Sequence, residues 1–269
     1  MMGGRQTMPA EPVDQSRARF DAIFQGIAPM LPPPSDAVQT SDVTVPSSKQ
    51  RVRIYKPAKA TDVLPVGLYV HSGGWYAGSI EHEDFMCRNV AENSQIVLYS
   101  SEYRLAPENP YPLGLEDVCA AYEFMHETVS DYGGDPAKKF VMGGSAGGHL
   151  TAAVGLKYAT HPELKAQGLC IFVPSTCEPS VLPQAYKLRY TPELYTDAPV
   201  IGAELVAQAR GKSVMLFCSL SSYRPRMAQC TSDRSFVLGA SPSRYQESSS
   251  VLHCCVYQRL IAPGGVVPL

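Results

Sequence analysis

A chain of 269 residues, 45% of them apolar, is long enough for one large α/β core, and its length gives no reason to divide it. The 23 basic and 25 acidic residues leave a net charge of −2 with no basic stripe, which argues against nucleic acid and anionic membrane as partners. The polar start from Met1 to Gln15 lacks the apolar stretch of a secretory signal, Met2 keeps Gly3 out of the myristoylation position, and no apolar run reaches the roughly 18 residues of a membrane span.

Residues 1–35 are expected to form a flexible arm followed by a helix, amphipathic from Arg17 to Ile27, that caps the site. Val43-Thr44-Val45 and Arg51 to Tyr55 alternate in strand fashion around a Pro-Ser-Ser-Lys turn and predict a hairpin. Val66 to Val70 is a continuous apolar run suited to a strand covered on both faces, and Gln95 to Tyr99, Lys139 to Met142 and Leu169 to Val173 are further runs. Helical periodicity covers Leu115 to Val129, and His149 to Tyr158 reads as another helix. Strands alternating with helices imply a mainly parallel sheet with helices on both faces. The expected core spans residues 36–212, with a cap segment at about 174–210 punctuated by proline.

Beyond Lys212 the character changes. Residues 213–269 contain no lysine, two acids, eleven serines and half of the eight cysteines, and periodicity is weak. This composition reads as a divergent, poorly structured segment, or as translation in a shifted frame or across a missed splice. With no export signal, the cysteines are expected to be reduced thiols.

The chemistry concentrates at Gly143-Gly144-Ser145-Ala146-Gly147-Gly148, which follows a strand and precedes a helix. A Gly-x-Ser-x-Gly nucleophile elbow needs that setting. The serine sits on a sharp turn, where a Cβ at Gly143 or Gly147 would collide with neighbouring elements, and the helix N-terminus points at the reacting carbonyl. Ser145 is then the nucleophile and the Ala146 N–H an oxyanion donor. A Gly-rich phosphate loop is the competing reading, but the Lys-Ser/Thr that would follow is missing. His71-Ser72-Gly73-Gly74-Trp75 ends the Val66–Val70 strand, and its small residues let backbone N–H groups converge on one oxygen. By itself that segment is only a tight turn.

His71-Ser72-Gly73-Gly74-Trp75, Tyr103-Arg104-Leu105-Ala106-Pro107-Glu108-Asn109-Pro110-Tyr111-Pro112 and Asp135-Pro136 together resemble the hormone-sensitive-lipase family of α/β-hydrolases, over about residues 40–175. The resemblance implies the α/β-hydrolase fold, a small-molecule ester substrate and no metal or organic cofactor. It implies that Gly73, Gly74 and Ala146 supply the oxyanion donors, that His71 orients the oxyanion loop and that Asp117 is structural. Ser72 and Gly144 depart from the family's His-Gly-Gly-Gly and Gly-Asp-Ser-Ala-Gly-Gly. The chain is also similar to the short esterase-like hydrolases of fungal secondary-metabolite clusters, polyketide toxin pathways included.

The pattern breaks at the acid and the base. A serine nucleophile needs a histidine held by a carboxylate, in the order Ser, acid, His. The family's Asp-Pro-Leu-like and His-x-Phe-like motifs are absent. His149 sits on the helix behind the nucleophile, where packing is the expected role, and His161 reads as a loop residue. By order alone, Asp233 (with Glu247 close behind) and His253 are the remaining acid and base. A non-catalytic ligand-binding module or an inactive remnant is therefore the alternative function. Glu81-His82-Glu83-Asp84 resembles a metal cluster in composition but is expected to be an exposed loop, because adjacent residues rarely converge on one ion. Trp75 and Tyr76 are candidates to line the acyl pocket. The expected setting is cytoplasmic: Val267-Pro268-Leu269 is not the peroxisomal Ser-Lys-Leu signal, and the peroxisome is left open only because a disturbed tail would have lost one; homo-oligomers are also left open.

Overall fold

The computed structural model describes residues 11–175 and, beyond them, Gln184, Ile261–Ala262 and Gly265–Val266. Strands β1 (Val38–Thr44), β2 (Arg51–Pro57), β3 (Leu64–Val70), β4 (Val97–Ser101), β5 (Gly134–Gly144) and β6 (Gly168–Phe172) form one sheet in the order β1-β2-β4-β3-β5-β6. The predicted hairpin is β1–β2, antiparallel from Val38↔Pro57 to Thr44↔Arg51. β2 also meets β4 antiparallel, while β3–β4, β3–β5 and β5–β6 are parallel.

The period of two along each strand sorts the side chains into two layers. Val52, Ile54, Val66, Leu68, Val70, Val97, Tyr99 and Val141 face a core completed by α3 (Leu113–Thr128) and α4 (Ser145–Lys157). Tyr55, Tyr69, Leu98 and Met142 face the opposite side, where Cys87 and Ala91 of α2 (Asp84–Ser94) pack. Leu68 is fully buried at the sheet centre, a burial that contributes about 2 kcal/mol.

Several boundaries differ from expectation. α1 (Val13–Ile27) begins four residues before Arg17; Pro12 precedes it and Asp14 favours its positive end. α2 was not expected. It buries Cys87 and Ala91 with Val90 packed beside them, a stripe of only three residues that the exposed Phe85 and Met86 blur. β4 runs to Ser101 and not only to Tyr99, because Ser100 and Ser101 are fully buried despite their hydroxyls. α4 starts at Ser145 and not at His149, a start hidden by its glycines. β5 is eleven residues long, its pairing with β3 shifting between Leu64 and Val66. Val173 lies outside β6, exposed and with φ +39°.

The predicted cap segment lies outside the described residues except for Pro174, Ser175 and Gln184, and the divergent segment except for a two-residue antiparallel ladder, β7 (Ile261–Ala262) with β8 (Gly265–Val266). Among the described residues, no helix is long and apolar enough to cross a membrane.

Candidate active site

Strand register brings the two glycine motifs together. Val70 of β3 pairs with Gly143 of β5, so the turn beginning at His71 leaves the sheet beside Gly144-Ser145. Both motifs lie at the carboxyl ends of parallel strands, where ligands bind in open α/β sheets.

Ser145 is the first residue of α4 and has φ +51°, left-handed backbone for a residue carrying a side chain. It is half-buried and remains reachable. The flanking glycines are dictated by contact. A Cβ on Gly147 would lie 2.1 Å from the Val70 carbonyl oxygen and 2.6 Å from that of His71. One on Gly143 would lie 2.7 Å from the Gly147 carbonyl group and from the Val70 oxygen. The helix can meet the strand end only without those side chains. Gly144 is less constrained: a Cβ there would approach the Ser72 hydroxyl at 3.1 Å, so the two departures from the family pattern are neighbours.

The opposite wall is the turn from His71 to Gly78. Gly73, Gly74 and Trp75 have φ of +119°, +62° and +66°, three left-handed residues in succession. Backbone N–H groups in such a run form a concavity suited to an anion. Tyr76 and Ala77 both donate their N–H to the Gly73 carbonyl. The Ser72 N–H donates to Glu83, whose other carboxylate oxygen accepts from the Tyr69 hydroxyl. His71 is buried, its Nδ1 hydrogen-bonds the Ser72 carbonyl at 2.7 Å, and its ring stacks on Tyr103 at 4.1 Å. Burial pushes the His71 pKa down, so the ring is neutral and Nδ1 carries the proton it donates. The Tyr103 hydroxyl donates back to the His71 carbonyl. Asp117, fully buried, accepts from the Arg104 N–H, Nε and Nη2, which fixes the segment after Tyr103.

Trp75 and Tyr76 are both buried. Trp75 packs edge-on against the His149 ring at 5.5 Å and lines a small cavity with Tyr103, Asn109, Tyr111 and Leu115. His149 is itself buried, and desolvation lowers its pKa to about 4. It is neutral at physiological pH and packed between the two motifs. Asp233 and His253 lie outside the described residues.

Glu81 to Asp84 is corrected from an exposed loop to an ion-pair hub. Only Glu81 is exposed. Glu81 binds Arg51 and Arg53, while Asp84 binds Arg53, Arg88 and the Tyr55 hydroxyl. The arginines spread over β2 and α2, and sequence proximity among the acids gave no sign of them. Among the described residues, no group of three His, Cys, Asp or Glu side chains could hold a metal ion. Glu83 and Arg17, which both contact the turn, were missed. The one signal for Arg17 is its spacing with Phe20, Asp21 and Phe24, which share a helix face.

Residues 67–222 match the family model described as alpha/beta hydrolase fold. The chain belongs to that family. Within it, the resemblance to the hormone-sensitive-lipase type holds. The versiconal hemiacetal acetate esterase of Dothistroma septosporum is 34% identical over 206 residues, 75% of this chain and 62% of that protein. The enzyme of the same name from Aspergillus parasiticus is 33% identical over 219 residues, 80% of this chain and 66% of its own. The chain thus spans somewhat under two thirds of the length of these curated relatives. Among solved structures, the hyperthermophilic esterase from Pyrobaculum calidifontis superposes with a TM-score of 0.69 at 26% identity, covering 81% of this chain and 68% of that one.

Proposed function

We propose that this chain is a serine hydrolase that cleaves carboxylic esters through an acyl-enzyme. The observation that carries the reading is Ser145 itself: left-handed backbone at a strand–helix junction, between Gly143 and Gly147, which press against the strand end that leads into the oxyanion turn. In this reading the Ser145 hydroxyl attacks the ester carbonyl and loses its proton to a histidine. The N–H groups of Gly73, Gly74 and Ala146 hold the oxygen as it becomes negative. Collapse expels the alcohol, and water then releases the acid and regenerates Ser145. His253 is assigned as base and Asp233 as its orienting carboxylate, by their order along the chain. The neutral, buried His149 is left to packing. Trp75 and Tyr76 shape the acyl side of the site through the loop they anchor.

The two fungal relatives support an acetate ester as the substrate, its acetyl group being the one removed, and a tailoring step in fungal secondary metabolism as the setting. Cys87, Cys119 and Cys170 are free thiols, which supports a reducing compartment, and we place the protein in the cytoplasm.

The test is hydrolysis of p-nitrophenyl acetate and butyrate beside fluorophosphonate labelling. Ser145→Ala is expected to lower turnover by several orders of magnitude and to abolish the label. His253→Ala is expected to follow it closely, and Asp233→Asn to lose less than either. Turnover unchanged in Ser145→Ala would remove the nucleophile. A folded wild-type protein that neither turns over nor takes the label would favour ligand binding on a hydrolase scaffold.

A further inference from the structure

We propose that Arg17, on the N-terminal helix, is a positioning residue for the oxyanion turn, holding it in the shape that aims the Gly73 and Gly74 N–H groups; this rests on the ester-hydrolase reading. The turn's three left-handed residues include Trp75, which has a side chain and persists in that conformation only where its surroundings over-determine it. Two contacts do so. The Trp75 carbonyl accepts from the Ala106 N–H at 2.9 Å. The next carbonyl, that of Tyr76, accepts from Arg17 Nε at 2.6 Å.

The same guanidinium reaches the Ala106 carbonyl through Nη2 at 2.9 Å and grips both carboxylate oxygens of Glu108, at 2.9 and 2.7 Å. Arg17 thus ties the turn to the segment behind it, and Glu108 fixes the plane of the fork. Only a planar, five-donor group can serve two carbonyls and a bidentate carboxylate at once. The Glu108 carboxyl is held down at about 2 by this partner, so the pair stays charged well below neutral pH.

A second anchor lies one helical turn on. Asp21 contacts His82 Nε2 at 3.1 Å, and His82 Nδ1 lies 3.2 Å from the Ser79 hydroxyl. Phe20 and Phe24 close on the His82 ring, with centroids at 5.3 and 4.6 Å. Positions 17, 20, 21 and 24 share one face of α1. That face grips the chain from Tyr76 to His82 at both ends, while the opposite side of the turn faces the elbow.

An oxyanion donor acts through its aim at the transition state. Loosening the turn should therefore lower kcat and leave KM in place. Complete loss of one donor costs about 100- to 1000-fold, so a turn freed on one side is expected to lose about tenfold. The experiment compares Arg17→Ala, Arg17→Lys and, as a control on the same helix, Arg19→Ala, whose side chain pairs only with Glu11 among the described residues. Three readouts are taken: kcat and KM on p-nitrophenyl acetate, inhibition by a trifluoromethyl ketone that forms a tetrahedral oxyanion, and hydrogen–deuterium exchange of peptides spanning residues 71–80.

In Arg17→Ala we expect kcat to fall about tenfold with KM within about twofold, ketone affinity to fall by the same factor, and exchange over 71–80 to rise. Arg19→Ala should match wild type throughout. Arg17→Ala with wild-type kcat, ketone affinity and exchange would overturn the proposal. If that variant does not fold, Arg17→Lys keeps the charge but not the fork, and wild-type values there are equally fatal. If the wild-type protein has no turnover, the hydrolase reading fails separately and exchange alone decides. Faster exchange over 71–80 in the Arg17 variants but not in Arg19→Ala upholds the clamp, and unchanged exchange ends it.

Discussion

The nucleophile elbow and the oxyanion turn face one another across the end of the sheet, yet they are held in opposite ways. The elbow is fixed by backbone against backbone: the Val70 and His71 carbonyls fill the space that a side chain on Gly147 would need. The turn is fixed by side chains arriving from elsewhere: Glu83 from the start of α2, Tyr103 from the loop after β4 and Arg17 from α1. A site built by steric exclusion tolerates almost no change at its small residues. One built by tethers should weaken by degrees as each tether is cut.

The strongest way to break the comparison is at the elbow. Gly147→Ala puts a methyl group 2.1 Å from a backbone oxygen of the central strand, which cannot rotate away. The expected cost is about 4 kcal/mol or more, read as a collapse of the urea midpoint or failure to fold. Gly144→Ala sharpens the contrast. Among the described residues its methyl group meets only the Ser72 hydroxyl, at 3.1 Å, and a small rotation relieves it at a cost of about 1 kcal/mol or less. Similar midpoints for the two variants would refute the steric account.

That difference also explains what could be read from the sequence. Gly143, Ser145 and Gly147 were legible because a backbone clash writes itself into adjacent positions, and the run from Val66 to Val70 was legible because a strand covered on both faces is apolar throughout. α2 was not, since its stripe of Cys87, Val90 and Ala91 is short and the adjacent Phe85 and Met86, both exposed, mask its period. Arg17 and Glu83 were not, since a tether depends on where distant segments meet: Arg17 lies 59 residues from Tyr76, and nothing local to either announces the pair. The acids at 81–84 misled for the same reason, their partners Arg51 and Arg53 being on β2, about 30 residues away. The assigned acid and base, Asp233 and His253, rest on chain order alone.

Between the two walls lies His149, and its effect should depend on pH. Desolvation holds its pKa at about 4 in the folded protein, against 6.5 when unfolded. As pH falls from 6.5 to 4 the unfolded chain binds the proton first, so stability falls across that window and the loss levels off below it. The full effect is about 3 kcal/mol. His149→Gln cannot take up the proton, so its stability deficit relative to wild type should shrink by about that amount between pH 7 and pH 4 in paired urea titrations. Parallel pH curves for the two proteins would show that His149 is not the group responsible.

A smaller effect than that of His149 is expected at the tether nearest the donors. Glu83 accepts from the Ser72 N–H at 3.1 Å and from the Tyr69 hydroxyl, and neither donor has another acceptor among the described residues. Glu83→Ala strands both, at about 2 kcal/mol, because a donor left without a partner inside the protein costs more than the bond itself was worth. Glu83→Gln keeps a carbonyl oxygen for Ser72 and should lose about half as much. Amide exchange at Ser72 separates the tether from a general loss of stability. In Glu83→Ala it should quicken under conditions where exchange in β3 does not, because the strand remains held by β4 and β5 on either side. If Ser72 and β3 quicken together, the turn unfolds only with the sheet, and the distinction between a wall fixed by exclusion and one fixed by tethers is lost.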